Sequence, residues 1–512
     1  MGTSRHLHRS ALLVVASLLF LPPLGADERE EQRAAYKQAL AAVGAGNQRR
    51  FQTLTRSLAD YPLYPYLLLE DLRRRLASAP DTEIEKFLDD YKDTPLAKRL
   101  LRKWLPQLAR ANRWRKFLDV YDGRGDIELV CYHERALIRS GQPGGVEERA
   151  KALWLSGKSR PPACDRLFDW LKQRGALTRE LLWKRIVLAM QAGETTLATF
   201  LAKETDAPIR EWTTLWTRVH TQPATAFTHK ALRGDNDLAR LIVSHAIRRI
   251  AENDIDTARA RWLEVRRRYA FPAEQRDEVE QELALLAAYR HHPAGLEWLE
   301  ALSPEAADQG VRIWRVRSAL RTQNWAQVPA LVNALDPEDR EKNEWRYWLA
   351  RAYAENGKQA LARRIYRDLA QERDYHGFLA ADRLDLPYSM QHRPLVRNPE
   401  LAAKLLQRPD IMRARELFYV DQTSDATREW NGALGKLDQQ QQQQATILAH
   451  KWGWHAAAIL TASKANAFNA LEVRFPTPYR DEVLQAARKQ KLDATWLYGI
   501  MRRESAFRRD AR

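Results

Sequence analysis

Cysteine is almost absent from this chain: Cys131 and Cys164 are the two in 512 residues. That scarcity excludes a disulfide-dense scaffold and any paired C-x-x-C metal or redox site. Histidine adds no metal signal, because the twelve present are scattered and none falls in H-E-x-x-H spacing. No metal and no cofactor is therefore expected. Alternating β-branched and polar residues are nearly missing, which argues against a sheet. Beyond Leu21 no apolar run approaches the roughly 18 residues that read as a membrane-spanning helix, so the mature chain is expected to be soluble. The glycines of Gly141–Gly145 (GQPGG) follow no strand and have the wrong spacing for a phosphate cradle, so they read as a turn between helices.

What the chain has in abundance is helical period. From about residue 28 to 385, apolar residues recur at intervals of three and four, broken briefly by Gly, Pro or Asn. The clearest unit is Trp345–Ala370. There Leu349, Ala350, Tyr353, Ala362 and Tyr366 match the large and small positions of a tetratricopeptide helix pair. Weaker echoes lie at Ile186–Ala202, Ala246–Tyr269 and Trp314–Leu335. Such units cannot bury their apolar faces alone, so the expected fold is all-α, a superhelical solenoid of stacked pairs. Seventeen tryptophans could form sugar-stacking platforms, but Trp262, Trp314, Trp345 and Trp348 sit at core spacing and are expected to pack.

The N-terminus reads as a secretory leader. Arg5 and Arg9 precede the eleven-residue apolar run Ala11–Leu21, and Leu24-Gly25-Ala26 ends in small residues, placing cleavage after Ala26. Two cysteines in an exported chain read as one structural disulfide, with two buried thiols as the alternative. The net charge of +17 favours an anionic partner. Export argues against nucleic acid and leaves a membrane surface or a carboxylate-bearing polymer, although runs such as Arg73–Arg75 and Arg266–Arg268 also read as solvated helix faces. Pro387, Pro394 and Pro399 mark a linker over 386–399. Helices resume from Glu400 to about Ala470, with the Gln439–Gln444 tract read as an exposed helix turn or loop. After Phe475-Pro476-Thr477-Pro478 come a helix over Tyr479–Lys489 and another over Asp493–Phe507, with Asp493 as its N-cap.

The last helix carries the chemistry. Leu497, Ile500, Met501 and Glu504 fall at i, i+3, i+4 and i+7, which places a glutamate on the stripe expected to be buried. Burial disfavours the charged form of a carboxyl, the condition a general acid needs near neutral pH. By itself such a glutamate is more often a paired core carboxylate, and Arg502 and Arg503 beside it could be surface partners.

Four segments then stand in a characteristic order: Gly157–Leu167 (GKSRPPACDRL), Tyr375–Leu384 (YHGFLAADRL), Leu471–Val483 (LEVRFPTPYRDEV) and Arg503–Phe507 (RESAF). With them the sequence resembles the soluble lytic murein transglycosylases of Gram-negative periplasms. The resemblance implies a superhelical U-shaped or ring-forming domain over 27–385, a helical linker domain over 396–470, and the start of a lysozyme-like catalytic domain from 475. It implies a Cys131–Cys164 disulfide and makes Glu504 the catalytic acid/base, with Ser505 at the site for substrate contact or helix packing. The implied partners are peptidoglycan glycan strands and other cell-wall enzymes, in the periplasm. The family's Gly-Leu-Met-Gln and Ala-Tyr-Asn-Ala-Gly type segments do not occur before Arg512; without them Glu504 is expected to have no opposing wall and little burial, and residues 1–512 alone are expected not to cleave glycan. Two other readings stay open: a non-catalytic periplasmic scaffold that binds murein or proteins, and a hydrolytic goose-type muramidase.

Overall fold

The computed structural model describes residues 25–508, 510 and 511. The leader read at residues 1–26 lies outside them, apart from the backbone of Gly25 and Ala26, which opens the first helix. Every regular element among the described residues is helical, and none of these helices is long and apolar enough to cross a membrane. The chain forms two compact units. One runs from Leu108 to Gln391; the other combines the residues up to Gln107 with those from His392 onward.

The 108–391 unit is a succession of helix pairs. Arg179–Gln191 packs on Thr195–Ala202, Asp237–Ala251 on Ile255–Arg268, Gln309–Arg321 on Val328–Asn333, and Asn343–Glu355 on Gln359–Leu369. Short polar side chains start many of these helices by accepting a hydrogen bond from an otherwise unpaired backbone N–H. Asn236 accepts from Ala239 at 3.0 Å and Asp254 from Thr257 at 2.9 Å. In the tetratricopeptide-like pair, Ala350 and Ala362 are fully buried and let the two helices approach, while Tyr347 and Tyr366 fill the space beside them. The four tryptophans singled out from spacing are packing residues. Trp262 and Trp345 are buried, and the half-buried Trp314 and Trp348 lie against apolar clusters.

Two of the signature segments have a structural reason in this unit. Gly157 passes so close to the neighbouring helix that a Cβ there would sit 2.5 Å from the Leu188 carbonyl oxygen. Gly377 begins its helix against the Glu372 and Leu369 carbonyls, which leave no room for a side chain, and its N–H donates to the Asp374 cap at 2.8 Å. Cys131, on helix Ile127–Arg139, is joined to Cys164, which sits in the turn before helix Asp165–Gln173. Both are fully buried, with Cα atoms 5.0 Å apart.

The other unit is held by charged and phenolic groups from distant parts of the chain. Glu416 is fully buried and accepts from Arg33 Nε and Nη2 at 2.8 and 3.0 Å and from the Tyr61 hydroxyl at 3.1 Å. Glu429, equally buried, accepts from Arg413 and from the Tyr66 hydroxyl, each at 3.0 Å. Arg99 donates to Asp425 at 2.7 Å, and Tyr36 to Gln422 at 3.0 Å. Burial opposes the charge on Arg33, but the hydrogen bond and charge of Glu416 more than offset it and raise the guanidinium above its ordinary value. Burial, with Glu416 and Glu429 adding to it, likewise pushes the Tyr61 and Tyr66 phenols up.

The glutamine tract is helical, one of the two forms expected of it, but it is exposed only at Gln439 and Gln440. It forms the opening turns of helix Gln439–Lys451, started by a reciprocal capping box between Asp438 and Gln441. Gln444 is buried, donating to the Val396 carbonyl at 2.8 Å and accepting from Asn398 N–H at 2.9 Å. An amide supplies donor and acceptor together, which is what an irregular backbone segment needs from its neighbour. The arginine runs also find partners: Arg75 pairs with Asp71 and Glu83, and Arg266 with Glu280.

Candidate functional site

The segment 471–507 builds the site from the backbone upward. Leu471–Arg474 is one helical turn, and the prolines of Phe475-Pro476-Thr477-Pro478 prevent it from continuing. Tyr479 adopts a left-handed conformation and starts helix Arg480–Gln490; Lys491, also left-handed, ends it. Asp493 then caps the terminal helix Ala494–Ser505, accepting from the Thr495 N–H at 2.7 Å.

This helix is held by hydrogen-bonding side chains that flank the half-buried Leu497 and Met501 of the apolar stripe. Tyr498, Arg502 and Ser505 recur at i, i+4 and i+7 and make the anchoring contacts. The Tyr498 hydroxyl donates to the Pro478 carbonyl at 3.2 Å, and Arg502 Nε donates to the Arg474 carbonyl at 2.7 Å. The Arg502 guanidinium also lies 4.4 Å from the centre of the Phe475 ring, and burial lowers its pKa from the usual arginine value. The Ser505 hydroxyl donates to the Met501 carbonyl at 2.9 Å and accepts from the Phe507 N–H at 3.1 Å, so it closes the end of the helix. Ala506 and Phe507 turn through left-handed backbone, which drops the buried Phe507 ring beside His455, with centroids 6.3 Å apart.

The stripe of Glu504 is not buried as its spacing alone suggests: Leu497 and Met501 are half-buried and Glu504 has the little burial expected of it without an opposing wall. No residue of the terminal helix is buried; Ile500 is 44% exposed, Trp496 58%, and Glu504 itself is exposed. Glu504 has no ion pair or hydrogen bond among the described residues, and its neighbour Arg502 is directed to the Arg474 carbonyl instead. The result is a carboxylate held at the end of a seated helix, with its oxygens free for a ligand and exposed apolar side chains one and two turns before it. Sequence spacing placed the Asp493 cap and read Arg502 as a surface partner of Glu504, but missed the anchoring by Tyr498, Arg502 and Phe507. Their signal was the proline-interrupted Phe475–Tyr479 segment, which offers carbonyls and a ring to whatever packs on it.

Comparison with known proteins covers nearly the whole chain. The family model described as the soluble lytic murein transglycosylase L domain matches residues 404–471, the helices between the linker and the terminal segment. The soluble lytic murein transglycosylase of Escherichia coli K12 is 29% identical over 489 residues, covering 94% of this chain and 75% of that protein. Among solved structures, an inactive glutamate-to-glutamine mutant of lytic transglycosylase Slt from Pseudomonas aeruginosa matches with TM-score 0.82 at 32% identity. That match covers 93% of this chain and 78% of the other. The 70-kDa soluble lytic transglycosylase in complex with bulgecin A matches with TM-score 0.81 at 28% identity, over 93% and 77% of the two chains. With that identity and coverage, joined to an all-helical fold and a presented glutamate on its terminal helix, the chain belongs to the soluble lytic murein transglycosylase family.

Proposed function

We propose that Glu504 is the acid/base with which this peptidoglycan lytic transglycosylase cleaves the bond between N-acetylmuramic acid and N-acetylglucosamine. Its carboxyl proton goes to the bridging oxygen as the bond from C1 breaks. The resulting carboxylate takes the proton from the muramic C6 hydroxyl, and that oxygen closes on C1 to give a 1,6-anhydro ring. One carboxyl suffices because the nucleophile is already part of the substrate, in contrast to the two carboxylates of most glycosidases. The observation that carries this reading is the presentation of Glu504: it is exposed and unpaired among the described residues, on a helix fixed by Tyr498, Arg502 and Phe507. Ser505 acts in this reading by closing the helix end, which fixes the residue before it.

The same exposure has a chemical consequence. A carboxyl that donates a proton near neutral pH has to be taken out of water. Residues 1–512 by themselves are therefore proposed to bind glycan strands without turning them over, as a scaffold would. In this reading the chain acts in the periplasm after losing residues 1–26, its 27–385 and 396–470 regions serve as superhelical and linker domains, and other cell-wall enzymes are candidate partners. Mass spectrometry of murein sacculi incubated with the protein tests it. Anhydro ends released by an extended form and none by residues 1–512 support the reading; reducing ends point to a hydrolase.

A further inference from the structure

A second site lies far along the chain from the glutamate, within the 108–391 unit. Helix Ala207–Thr221 buries Ile209, Thr213, Trp216 and Val219 on one side. The opposite side, with Arg210, Glu211, Thr214 and Arg218 at helical spacing, forms the floor of a cleft of about 560 Å³. The turn Lys230–Leu232 supplies its wall, and Trp212 presents a half-buried aromatic side chain to it. This wall is fixed. Leu232 is buried, its carbonyl accepts from the Tyr269 hydroxyl, and the His229 ring accepts from the Ala231 N–H at 3.3 Å.

Two of the three cations in the cleft have no carboxylate partner among the described residues. Neither Arg218 nor Lys230 pairs with a carboxylate among the described residues, and Arg210 donates to the Thr205 carbonyl rather than to an acid. Three cations thus face one carboxylate, Glu211, in a space suited to a small ligand or a few peptide residues. Paired cations on helix faces are common and bland, but unpaired ones converging on a fixed cleft beside a tryptophan are a recognition site for carboxylates carrying an apolar or sugar face.

We infer that the Arg210–Arg218–Lys230 cleft binds the carboxylate-bearing peptide stem of peptidoglycan, holding the polymer at a point separate from Glu504. The inference rests on the murein-directed function proposed above. It needs no covalent step. Arg218 and Lys230 hold the stem carboxylates, Trp212 packs on the adjoining apolar group, and Glu211 favours stems that also carry an ammonium group.

The test is binding of a soluble muramyl tetrapeptide to purified residues 1–512, measured by calorimetry. The same peptide with its carboxylates amidated, inorganic phosphate, and vesicles of anionic lipid are run alongside. Wild type is expected to bind the free-acid stem and to lose about tenfold or more in affinity on amidation. The double variant Arg218→Glu/Lys230→Glu is expected to show the same loss with an unchanged circular-dichroism melting curve, and Trp212→Ala a smaller one. Equal binding by the double variant, or tighter binding of phosphate or vesicles than of the stem, overturns the inference. A wild-type chain that sediments with sacculi but ignores the free stem overturns this site alone. A chain that fails to sediment with sacculi overturns the proposed function as well.

Discussion

The two compact units bury carboxylates in opposite ways. In the 108–391 unit, buried Glu134 pairs with Arg149 at 2.8 Å, and buried Asp339 with Lys342, so each ion pair closes within a short stretch of chain. In the other unit, Glu416 takes Arg33 and Tyr61 from the opposite end of the sequence, and Glu429 adds Tyr66 from that end to its nearby partner Arg413. The first unit is a stack of neighbours with one disulfide; the second is assembled from distant segments, with contacts between residues 326 and 383 positions apart in the chain. A buried charge costs several kcal/mol to desolvate, and only well-placed partners offset that cost. The second unit is therefore expected to fail when a single partner is removed, whereas the first should soften locally.

The sharpest break of this contrast is Glu416→Ala. It leaves Arg33 and the Tyr61 hydroxyl without their acceptor and should cost about 3–5 kcal/mol. Hydrogen exchange should show protection lost in both 25–107 and 392–474 together. Cys131→Ser should cost the 108–391 unit about 3–4 kcal/mol, the loop-closure value for a 33-residue separation. Urea unfolding with and without a reducing agent checks that figure. Gln444→Ala should cost about 1–3 kcal/mol, because the Val396 carbonyl and Asn398 N–H lose their shared partner. Exchange at Asn398 should rise first.

The smallest effect is a pH dependence in the 108–391 unit. His220 Nδ1 and His245 Nε2 are 3.0 Å apart. Burial, then His220 and the arginines 249 and 248, holds the His245 imidazole down at about 4, while burial and Arg249 lower His220. The unfolded chain takes up these protons first, so stability is full above the ordinary histidine value of about 6.5 and falls as pH drops toward 4. His245→Gln should flatten that slope, as melting curves between pH 7 and 4 would show.

The contrast also explains what could be read from the chain. The pair Trp345–Ala370 was legible because its contacts repeat at helical spacing, and the Asp493 cap because capping is local. The Arg33–Glu416 pair was not, since no periodicity links residues 383 positions apart. The Gln439–Gln444 tract was legible as a helix turn, but composition misled on its exposure: its amides bind backbone carbonyls that only the folded chain brings near. The terminal helix misled in another way. Apolarity selected Leu497, Ile500 and Met501, of which Ile500 is exposed, and gave no sign of the tyrosine and arginine that fix the helix by donating to carbonyls.

The central claim, that Glu504 performs the bond-breaking chemistry, is tested most directly in a hybrid that extends residues 1–512 with the C-terminal part of the Pseudomonas aeruginosa enzyme, 78% of which the present match covers. Soluble products released from sacculi are weighed by mass spectrometry for the hybrid and for its Glu504→Gln variant. The account predicts 1,6-anhydromuramic products from the first and none from the second at unchanged thermal stability. Undiminished release of those products by Glu504→Gln would contradict it.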